Sequence, residues 1–380
     1  MSKMSISQCT VTLTRQCNLR CNFCYAKKTE YMETANLEYE NLQKIIDFCD
    51  DAKVKFIVFT GGEPTLYPYL FDILQYIKSK KNKMLPTIAT NGIRLEDLQY
   101  CKLLIENGIG YIDISLKGKD SKECYDIVGK DCYQQQLAAI RNLSSLPIEF
   151  TCSIVLTEDN IRSLCDTVRN AHKNGGNQFS FTFIIDNEKS DYSNEDYLKK
   201  HNPFALIETF ISQIDELNSI TEDWWIEYSF PMCTYTKEQL KLLKGKLASP
   251  CQIHIENGIT LDTNMNLIPC NMHFENRIGQ LGNDFSTFEE FQKLSQKSTY
   301  RSTINKLQQY PSDNCKSCNY LNYCYGGCPV IWKNFSYESL VKCKKEYYKI
   351  VTANQTSGQK NKSRSTSAQI PYSVHHNELL

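Results

Sequence analysis

Short apolar runs alternate with longer amphipathic stretches from residue 9 to about residue 185, and this alternation limits the fold more than any other feature of the chain. The apolar runs predict β-strands, and the stretches between them predict helices. The predicted strands are 9–14, 54–60, 86–90, 111–116, 148–156 and 179–185. The predicted helices are 37–52, 69–80, 95–108, 133–143 and 161–175.

Successive strand–helix units call for a parallel sheet with its helices outside. Six units are too few for a closed eight-fold barrel. We therefore predict an α/β fold built as a partial (β/α)6 TIM-type barrel, and an open doubly wound sheet is the alternative. In both architectures the functional groups gather at the C-terminal ends of the strands.

The remaining sequence changes character along the chain. A polar bridge follows the barrel, with predicted helices at 203–218 and near 236–246 and the pair Trp224-Trp225. The last part is too polar to bury a core, so we expect it to be disordered. The predicted segments are a barrel at 1–186, a helical bridge at 187–250, a small Cys-rich, loop-rich domain at 251–350 and a disordered polar tail at 351–380.

Charge and hydropathy exclude several classes of protein. Lys+Arg and Asp+Glu both number 43 among the 380 residues, so nothing indicates nucleic acid or an anionic membrane as the main partner. No run approaches the ~20 apolar residues that cross a bilayer, and the N-terminus lacks the pattern of a secretory signal. We expect a cytoplasmic protein.

The chain carries 18 cysteines. Without an export signal they indicate thiolates for metal rather than disulfides. Cys17, Cys21 and Cys24 follow the first predicted strand with the spacing C-x3-C-x2-C. Three thiolates can hold three corners of an iron–sulfur cubane, and the fourth iron is then an open Lewis-acid position. A zinc site or three core thiols are the alternatives.

This spacing, with the aromatic residue Phe23 before the last cysteine, resembles the signature of the radical S-adenosylmethionine (SAM) superfamily. The end of the second predicted strand, Gly61-Gly62-Glu63-Pro64, resembles the GGEP motif of the same superfamily. A Gly-Gly pair lets a ligand approach the backbone, and Glu63 can accept hydrogen bonds from an ammonium group. The resemblance implies that this motif holds the amino group of SAM.

Two further strand ends carry small polar residues. By resemblance Thr90, Asn91 and Ser115 would contact the ribose or the carboxylate of SAM, although Asn91 can equally belong to an ordinary turn and Ser115 can simply end a strand. Many relatives have Asp where this chain has Lys117, so any role of that acid is in doubt here. Asn160 is a weaker candidate that can instead cap the following helix.

The C-terminal cysteines resemble the SPASM module, an auxiliary-cluster extension of many radical SAM enzymes that act on peptides or proteins. By resemblance two further [4Fe–4S] clusters are implied, three in all with SAM as cosubstrate. Zinc is the alternative for these thiolates. The implied ligands are Cys251, Cys270 and Cys328 for auxiliary cluster I and Cys315, Cys318, Cys324 and Cys343 for auxiliary cluster II.

Two departures from the module concern auxiliary cluster I. Some relatives supply its fourth ligand from a further cysteine shortly after the first, and this chain has Ile-His-Ile-Glu-Asn there. His254, a substrate thiolate or solvent could take that position. The module also places Gly five residues before its second cysteine, where this chain has Met265, although the neighbouring Asp and Asn residues can still make the turn.

The resemblance implies reductive cleavage of SAM to a 5′-deoxyadenosyl radical, which takes hydrogen from a substrate C–H bond. The first expectation is crosslinking or oxidation of a ribosomally made precursor peptide. The alternatives are sulfatase-maturase-like formylglycine formation, oxidation of a small metabolite and, from another class, a non-catalytic Fe–S electron carrier. The catalytic acid or base stays unknown, and Cys233 is a candidate hydrogen-atom donor.

The implied partners are a precursor peptide or protein and a flavodoxin- or ferredoxin-type electron donor. Many peptide maturases carry a leader-binding domain of ~80 residues before the barrel, and 16 residues precede Cys17 here. Leader recognition is therefore expected from the bridge, the tail or a separate protein. The other cysteines lie mostly in predicted helices or strands, where Cys behaves as a small buried hydrophobe.

Overall fold

The computed structural model describes residues 5–26, 35–185, 198, 201–227, 230–248 and 251–361. These residues form one ten-stranded sheet in the order β10-β9-β8-β1-β2-β3-β4-β5-β6-β7. The strands are β1 Gln8–Thr14, β2 Phe56–Gly61, β3 Leu85–Thr90, β4 Tyr111–Leu116, β5 Glu149–Leu156, β6 Phe179–Phe183, β7 Trp224–Ile226, β8 Gly258–Leu261, β9 Asn266–Ile268 and β10 Gly279–Gln280.

In the sheet order given above, each pair of neighbouring strands between β8 and β7 is parallel. At the other edge, β9 pairs antiparallel with β8, and β10 pairs antiparallel with β9. The helices are α1 Tyr39–Asp51, α2 Leu70–Lys78, α3 Leu98–Asn107, α4 Ser121–Val128, α5 Tyr133–Ser144, α6 Leu164–Lys173, α7 Pro203–Ile211, α8 Ile214–Ile220, α9 Lys237–Leu242, α10 Gln252–Ile255, α11 Phe288–Ser295, α12 Ser298–Leu307, α13 Leu321–Cys324, α14 Ile331–Asn334 and α15 Tyr337–Asn361.

Alternating burial along the strands shows which face of the sheet packs against the helices. In β4 the side chains of Ile112, Ile114 and Leu116 are buried in the main hydrophobic core, whereas Asp113 and Ser115 point to the other face. Parallel strands joined by helices require this arrangement, because the helices bury one face of the sheet. The predicted partial barrel is therefore confirmed, and its second face is free for polar groups.

The bridge and the C-terminal segment contribute to the same sheet. Trp224–Ile226 pairs in parallel with β6 as a seventh strand, and Gly258–Leu261 pairs in parallel with β1. The predicted helix at 203–218 is instead the two helices α7 and α8. Sequence analysis also missed α4, which follows β4 directly.

The expectation of disorder from residue 351 is wrong over residues 351–361, because α15 continues to Asn361. The remainder of that predicted tail, 362–380, lies outside the described residues. No helix of the described part is long and apolar enough to span a bilayer.

Candidate active site and cluster sites

The first cysteine loop lies at the C-terminal end of β1 and is held against the end of α4. Arg20 and Asn22 donate backbone hydrogen bonds to the carbonyl oxygens of Val128 and Ile127, at 3.0 and 2.9 Å. Leu19, directly before Arg20, is buried. The loop conformation therefore depends on α4, the helix that the sequence pattern did not reveal.

The three thiols of this loop lie close to one another. Burial, chiefly, and the charges of Glu63, Cys21 and Cys24 together raise the pKa of Cys17 to about 11. The N–H of Leu19, which donates to the Cys17 sulfur at 3.4 Å, opposes the rise. Mutually repelling thiolates need a positively charged group to share. The three side chains thus fit an iron–sulfur cluster bound at three corners.

The Gly-Gly pair packs against the backbone that leads into the first cysteine loop. A Cβ atom on Gly61 would overlap the carbonyl oxygen of Thr14, and one on Gly62 would overlap that of Gln16. Gly62 also donates its N–H to Thr14 O at 2.7 Å. Close approach of this backbone therefore requires both glycines, and their contact with SAM stays a prediction.

Glu63 is buried and binds the start of its own turn and the end of β3. Its Oε1 accepts from the backbone N–H and hydroxyl of Thr65 and from the hydroxyl of Thr90, and its Oε2 accepts from the N–H of Asn91 at 2.8 Å. Oε1 thus accepts three hydrogen bonds and Oε2 accepts one. Oε2 is therefore the oxygen that can accept from a further donor, such as an ammonium group, beside this fixed network.

Asn91 and Ser115 are linked through a buried glutamine. Gln136 Nε2 donates to the carbonyl oxygens of Asn91 and Ser115, at 2.8 and 2.9 Å. The Asn91 side chain donates to Asn18 Oδ1 at 2.7 Å, in the cysteine loop. The predicted Thr90, Asn91 and Ser115 thus meet at one rim of the sheet, and Gln136 is a member of the site that sequence analysis missed.

Lys117, the departure from the usual acid, is 5% exposed at this rim. Its Nζ donates to the Ser115 hydroxyl and lies 5.3 Å from the ring centroid of Phe23. Burial raises the pKa of Cys21, and the positive charge of Lys117 opposes that rise. A buried cation therefore stands beside the cysteine loop, and the departure in sequence was the signal that could have indicated it.

The structure brings Cys251, Cys270 and Cys328 together. Burial, chiefly, and the charge of Cys251 raise the pKa of Cys270 to about 12. Burial and the charges of Cys251 and Cys270 likewise raise the pKa of Cys328. Each thiol lies at the start of a turn or short helix and accepts from two backbone N–H groups. The donors are Ile253 and His254 for Cys251, Met272 and His273 for Cys270, and Val330 and Ile331 for Cys328.

The N–H groups of His254, His273 and Ile331 also donate to the carbonyl oxygens of the same three cysteines. Backbone N–H groups at the start of a helix or turn favour a negative charge. The donor set therefore fits thiolates that bind a cluster. No three His, Cys, Asp or Glu side chains in the described part of the chain are placed to chelate a single metal ion. In a cubane each thiolate binds a different iron, so its ligands stand farther apart than those of one ion.

The turn before Cys270 explains the glycine of the SPASM pattern. Met265 has φ +58°, in the left-handed region that glycine adopts without cost. Asp262 Oδ1 accepts the N–H groups of Asn264 and Asn266, at 2.8 and 2.9 Å. The expectation that Asp and Asn residues make this turn is confirmed.

The second auxiliary set is only partly assembled. The charges of Cys324 and Cys318 raise the pKa of Cys315, after burial. Burial raises the pKa of Cys343 on α15 to about 11, and the acting charge is that of Glu346. The charges that act on Cys343 thus do not include those of the other three predicted ligands.

Cys233 lies beside this set. Desolvation of its thiol, chiefly, and the charges of Cys324 and Cys315 raise the pKa of Cys233 to about 12, although the residue has an exposed surface. The preceding residue, Met232, donates its N–H to Cys324 Sγ at 3.2 Å. Nothing in the spacing of the sequence could have revealed this proximity, because Cys233 belongs to the bridge.

Asn160, the weaker candidate, has a structural role, and so do the cysteines outside the predicted ligand sets. Asn160 does not cap a helix through its side chain; it accepts from the N–H of Thr157 and donates to Val155 O, both at 2.8 Å, and so braces the loop after β5. The cysteines expected in the core are all buried. They are Cys9, Cys49, Cys101, Cys124, Cys132, Cys152 and Cys165.

Fold and site together define a partial-barrel protein with a three-cysteine loop at the carboxyl end of its sheet. Residues 11–188 match the family model described as the radical SAM superfamily. This part of the chain is similar to that superfamily, whose members are enzymes that bind a [4Fe–4S] cluster and SAM.

The curated relatives differ in the reactions that their names describe. The GTP 3′,8-cyclase of Chlorobaculum tepidum is 29% identical over 36% of this chain and 41% of its own length. The Fe-coproporphyrin III synthase of Methanosarcina barkeri is 29% identical over 40% of this chain and 37% of its own length. The chain thus spans less than half the length of either relative.

Solved structures resemble a larger part of the chain. One is anSMEcpe with bound AdoMet and the Cp18Cys peptide, at TM-score 0.64 and 19% identity, covering 93% of this chain and 99% of that one. Another is Streptococcus suis SuiB bound to the precursor peptide SuiA, at TM-score 0.62 and 17% identity, covering 86% and 72%. At these identities the likeness shows a shared fold.

Proposed function

We propose that this chain cleaves SAM reductively and abstracts hydrogen from a peptide or protein substrate, crosslinking or oxidising a residue of a ribosomally made precursor. The observation that carries the proposal is the extent of the shared fold. The likeness to anSMEcpe and SuiB, whose structures record bound peptides, covers most of the chain and not the superfamily domain alone.

Each site has a proposed role. Cys17, Cys21 and Cys24 bind the SAM cluster, and the turn at Glu63 receives the amino group of SAM. Thr90, Asn91 and Ser115 line the remaining SAM pocket. SAM supplies a 5′-deoxyadenosyl radical when it is bound and reduced. The auxiliary ligands are Cys251, Cys270 and Cys328 for cluster I and Cys315, Cys318, Cys324 and, by the SPASM resemblance, Cys343 for cluster II.

The inner face of the sheet supports a substrate site below this rim. Asp113 and Ser115 are two residues apart in β4 and therefore lie on the same face, about 7 Å apart along the strand. Ser153 of β5 donates its hydroxyl to the carbonyl oxygen of Ile114 at 3.4 Å, and Trp225 of β7 donates its Nε1–H to Glu227 at 2.7 Å. A groove with such hydroxyl and carboxylate groups can orient the polar backbone of a peptide.

A small-molecule substrate is the second candidate, and the names of the curated relatives favour it. The two proposals differ in what is consumed. Protein reconstituted without oxygen would be assayed for deoxyadenosine with a peptide encoded by the neighbouring reading frame and, separately, with GTP. We expect a mass change in the peptide alone; consumption of GTP with an unchanged peptide would refute the peptide proposal.

Variants separate the cluster roles. Cys17→Ala, Cys21→Ala and Cys24→Ala should each abolish deoxyadenosine formation. Cys318→Ala should spare uncoupled SAM cleavage and lose the peptide product. Cys101→Ala, which removes a buried core thiol, is the matched control and should retain both activities. Wild-type protein should contain about twelve iron atoms per chain if three [4Fe–4S] clusters are present.

A further inference from the structure

We infer that His273, through its Nε2 atom, is the fourth ligand of the auxiliary cluster held by Cys251, Cys270 and Cys328. The inference rests on the proposed function, because it concerns a cluster that the proposal assigns. It changes the interpretation of that cluster from one with an open iron to one that the protein ligates completely.

The three thiols leave one corner of the cluster to be filled. Cys251, Cys270 and Cys328 lie close enough for their charges to interact and are each stabilised by a pair of backbone N–H groups. A [4Fe–4S] cluster has four irons, so three thiolates leave one without a protein ligand. Imidazole nitrogen is an established substitute for thiolate in iron–sulfur ligation.

Two histidines stand at the same spacing from these cysteines. His254 follows Cys251 by three residues, and His273 follows Cys270 by three residues. Each donates its backbone N–H to the carbonyl oxygen of its own cysteine, at 2.9 and 2.8 Å. Each imidazole therefore belongs to the turn that follows its cysteine, and sequence spacing cannot distinguish them.

Hydrogen bonding distinguishes them. His254 Nε2 is 3.2 Å from the carbonyl oxygen of Gly327, and its ring stacks on Tyr325 at a centroid distance of 5.7 Å. A nitrogen that donates to a carbonyl carries a proton and has no lone pair for iron. His254 is thus committed to the loop between Cys324 and Cys328.

His273 has the opposite character. It is 1% exposed, and its Nε2 atom is buried without a hydrogen-bond partner among the described residues. Leaving a buried polar atom without a partner costs about 1–3 kcal/mol. Ligation of the fourth iron supplies the missing partner at the atom that lacks one.

The other ring nitrogen of His273 has a suitable second partner. His273 Nδ1 lies 3.3 Å from the side-chain amide of Asn276. Ligation through Nε2 requires the proton on Nδ1, and the Asn276 amide accepts it when its oxygen faces the ring. Amide oxygen and nitrogen exchange by rotation of the side chain. A ligating histidine commonly donates its second N–H to such a group.

The test is nitrogen hyperfine spectroscopy on the reduced full-length protein without SAM. Cys17, Cys21 and Cys24 are all changed to Ala, so that the auxiliary clusters alone contribute. We expect a strongly coupled nitrogen whose signal changes when the protein is labelled with ¹⁵N-histidine. His273→Ala should remove this coupling, and the matched variant His254→Ala should retain it.

A coupling that persists in His273→Ala, or a wild-type spectrum without dependence on ¹⁵N-histidine, would overturn the inference. Because the alanine variant could fold poorly, His273→Cys is the second variant. A thiolate at this position should keep the iron content of the wild type while abolishing the histidine coupling. Deoxyadenosine formation by protein with an intact N-terminal loop tests the proposed function separately, since it depends on the other cluster.

Discussion

The backbone N–H of Gly62 donates to the carbonyl oxygen of Thr14 at 2.7 Å, and this bond joins the two loops of the proposed SAM site. The next residue, Glu63, continues the contact through its N–H to Gln16 O, also at 2.7 Å. Thr14 ends β1 and Gln16 directly precedes Cys17. The glycine turn therefore sets the position from which the first cysteine approaches its cluster.

Gly62→Ala should displace the cysteine loop, because the added methyl group would overlap the Gln16 carbonyl oxygen. Overpacking of this kind costs typically about 1–3 kcal/mol. We expect loss of about four of the twelve iron atoms and of deoxyadenosine formation, measured by iron analysis and chromatography.

Gly245→Ala is the control for this variant. Nothing lies within 4 Å of the position that its Cβ would occupy, although its φ of +79° adds modest strain. Its iron content should equal that of the wild type. Full iron loading and SAM cleavage in Gly62→Ala would show that the contact with Gln16 does not position the loop.

Lys117→Met should make the SAM cluster harder to reduce. The buried ammonium favours negative charge at Cys21, so its removal destabilises the reduced cluster most. A loss of about 1–2 kcal/mol corresponds to a midpoint potential lower by roughly 50–90 mV for a one-electron couple. Redox titration followed by electron paramagnetic resonance measures the shift.

Lys122→Met is the matched control, because this lysine is exposed and pairs with Asp126 on α4. Its potential should stay at the wild-type value. An unchanged potential in Lys117→Met would mean that the charge does not reach the cluster. Lys117→Arg, which keeps the charge, should lie closer to the wild type than Lys117→Met does.

Local sequence patterns were sufficient for the strands that precede the bridge. All six predicted strands are present, and the predicted strand 111–116 has the same first and last residues as β4. Periodicity failed for Trp224–Ile226 and Gly258–Leu261. These segments have three and four residues, too few to show alternation, and their strand structure depends on pairing with β6 and β1.

In the candidate site, too, contacts between residues close in sequence could be predicted and contacts between distant residues could not. Cysteine spacing indicated the thiols of the first loop, which the structure brings together, because those residues are close in sequence. The proximity of Cys233 to Cys324 joins residues that are far apart in the chain, and no local pattern carries it. The orphaned Nε2 of His273 is likewise a property of burial by distant elements.

Asp113→Asn should stabilise the protein at neutral pH and not at low pH. Burial is the main reason that the pKa of Asp113 rises from 3.8 to about 6, and the charge of Glu227 adds to the rise. The Ser153 hydroxyl and the charge of Lys117 oppose the rise. Protonated Asp113 therefore contributes stability below about pH 4, and the contribution is lost as the pH rises through 6. The side-chain amide that Asp113→Asn introduces cannot ionise and avoids this loss.

The expected gain for Asp113→Asn is on the order of 1–3 kcal/mol at pH 8, falling towards zero near pH 4. Anaerobic urea unfolding at several pH values measures it. Asp126→Asn, at an exposed position on α4, is the control and should show no such dependence. If Asp113→Asn were less stable than the wild type at pH 8, ionisation of buried Asp113 would not destabilise the folded protein, and the argument would be wrong.

Lys333→Met should lower the midpoint potential of auxiliary cluster I. Burial raises the pKa of Cys270, and the positive charge of Lys333 opposes the rise; the same lysine lies 3.7 Å from Glu275, with which it pairs. Loss of this charge destabilises the reduced cluster, by roughly 50 mV if about 1 kcal/mol is lost.

The measurement is a redox titration in the protein that lacks Cys17, Cys21 and Cys24. Lys293→Met, an exposed lysine paired with Glu289, should leave the potential unchanged. A potential that rises in Lys333→Met would show that the Glu275 partner, rather than the lysine, dominates the field at the cluster.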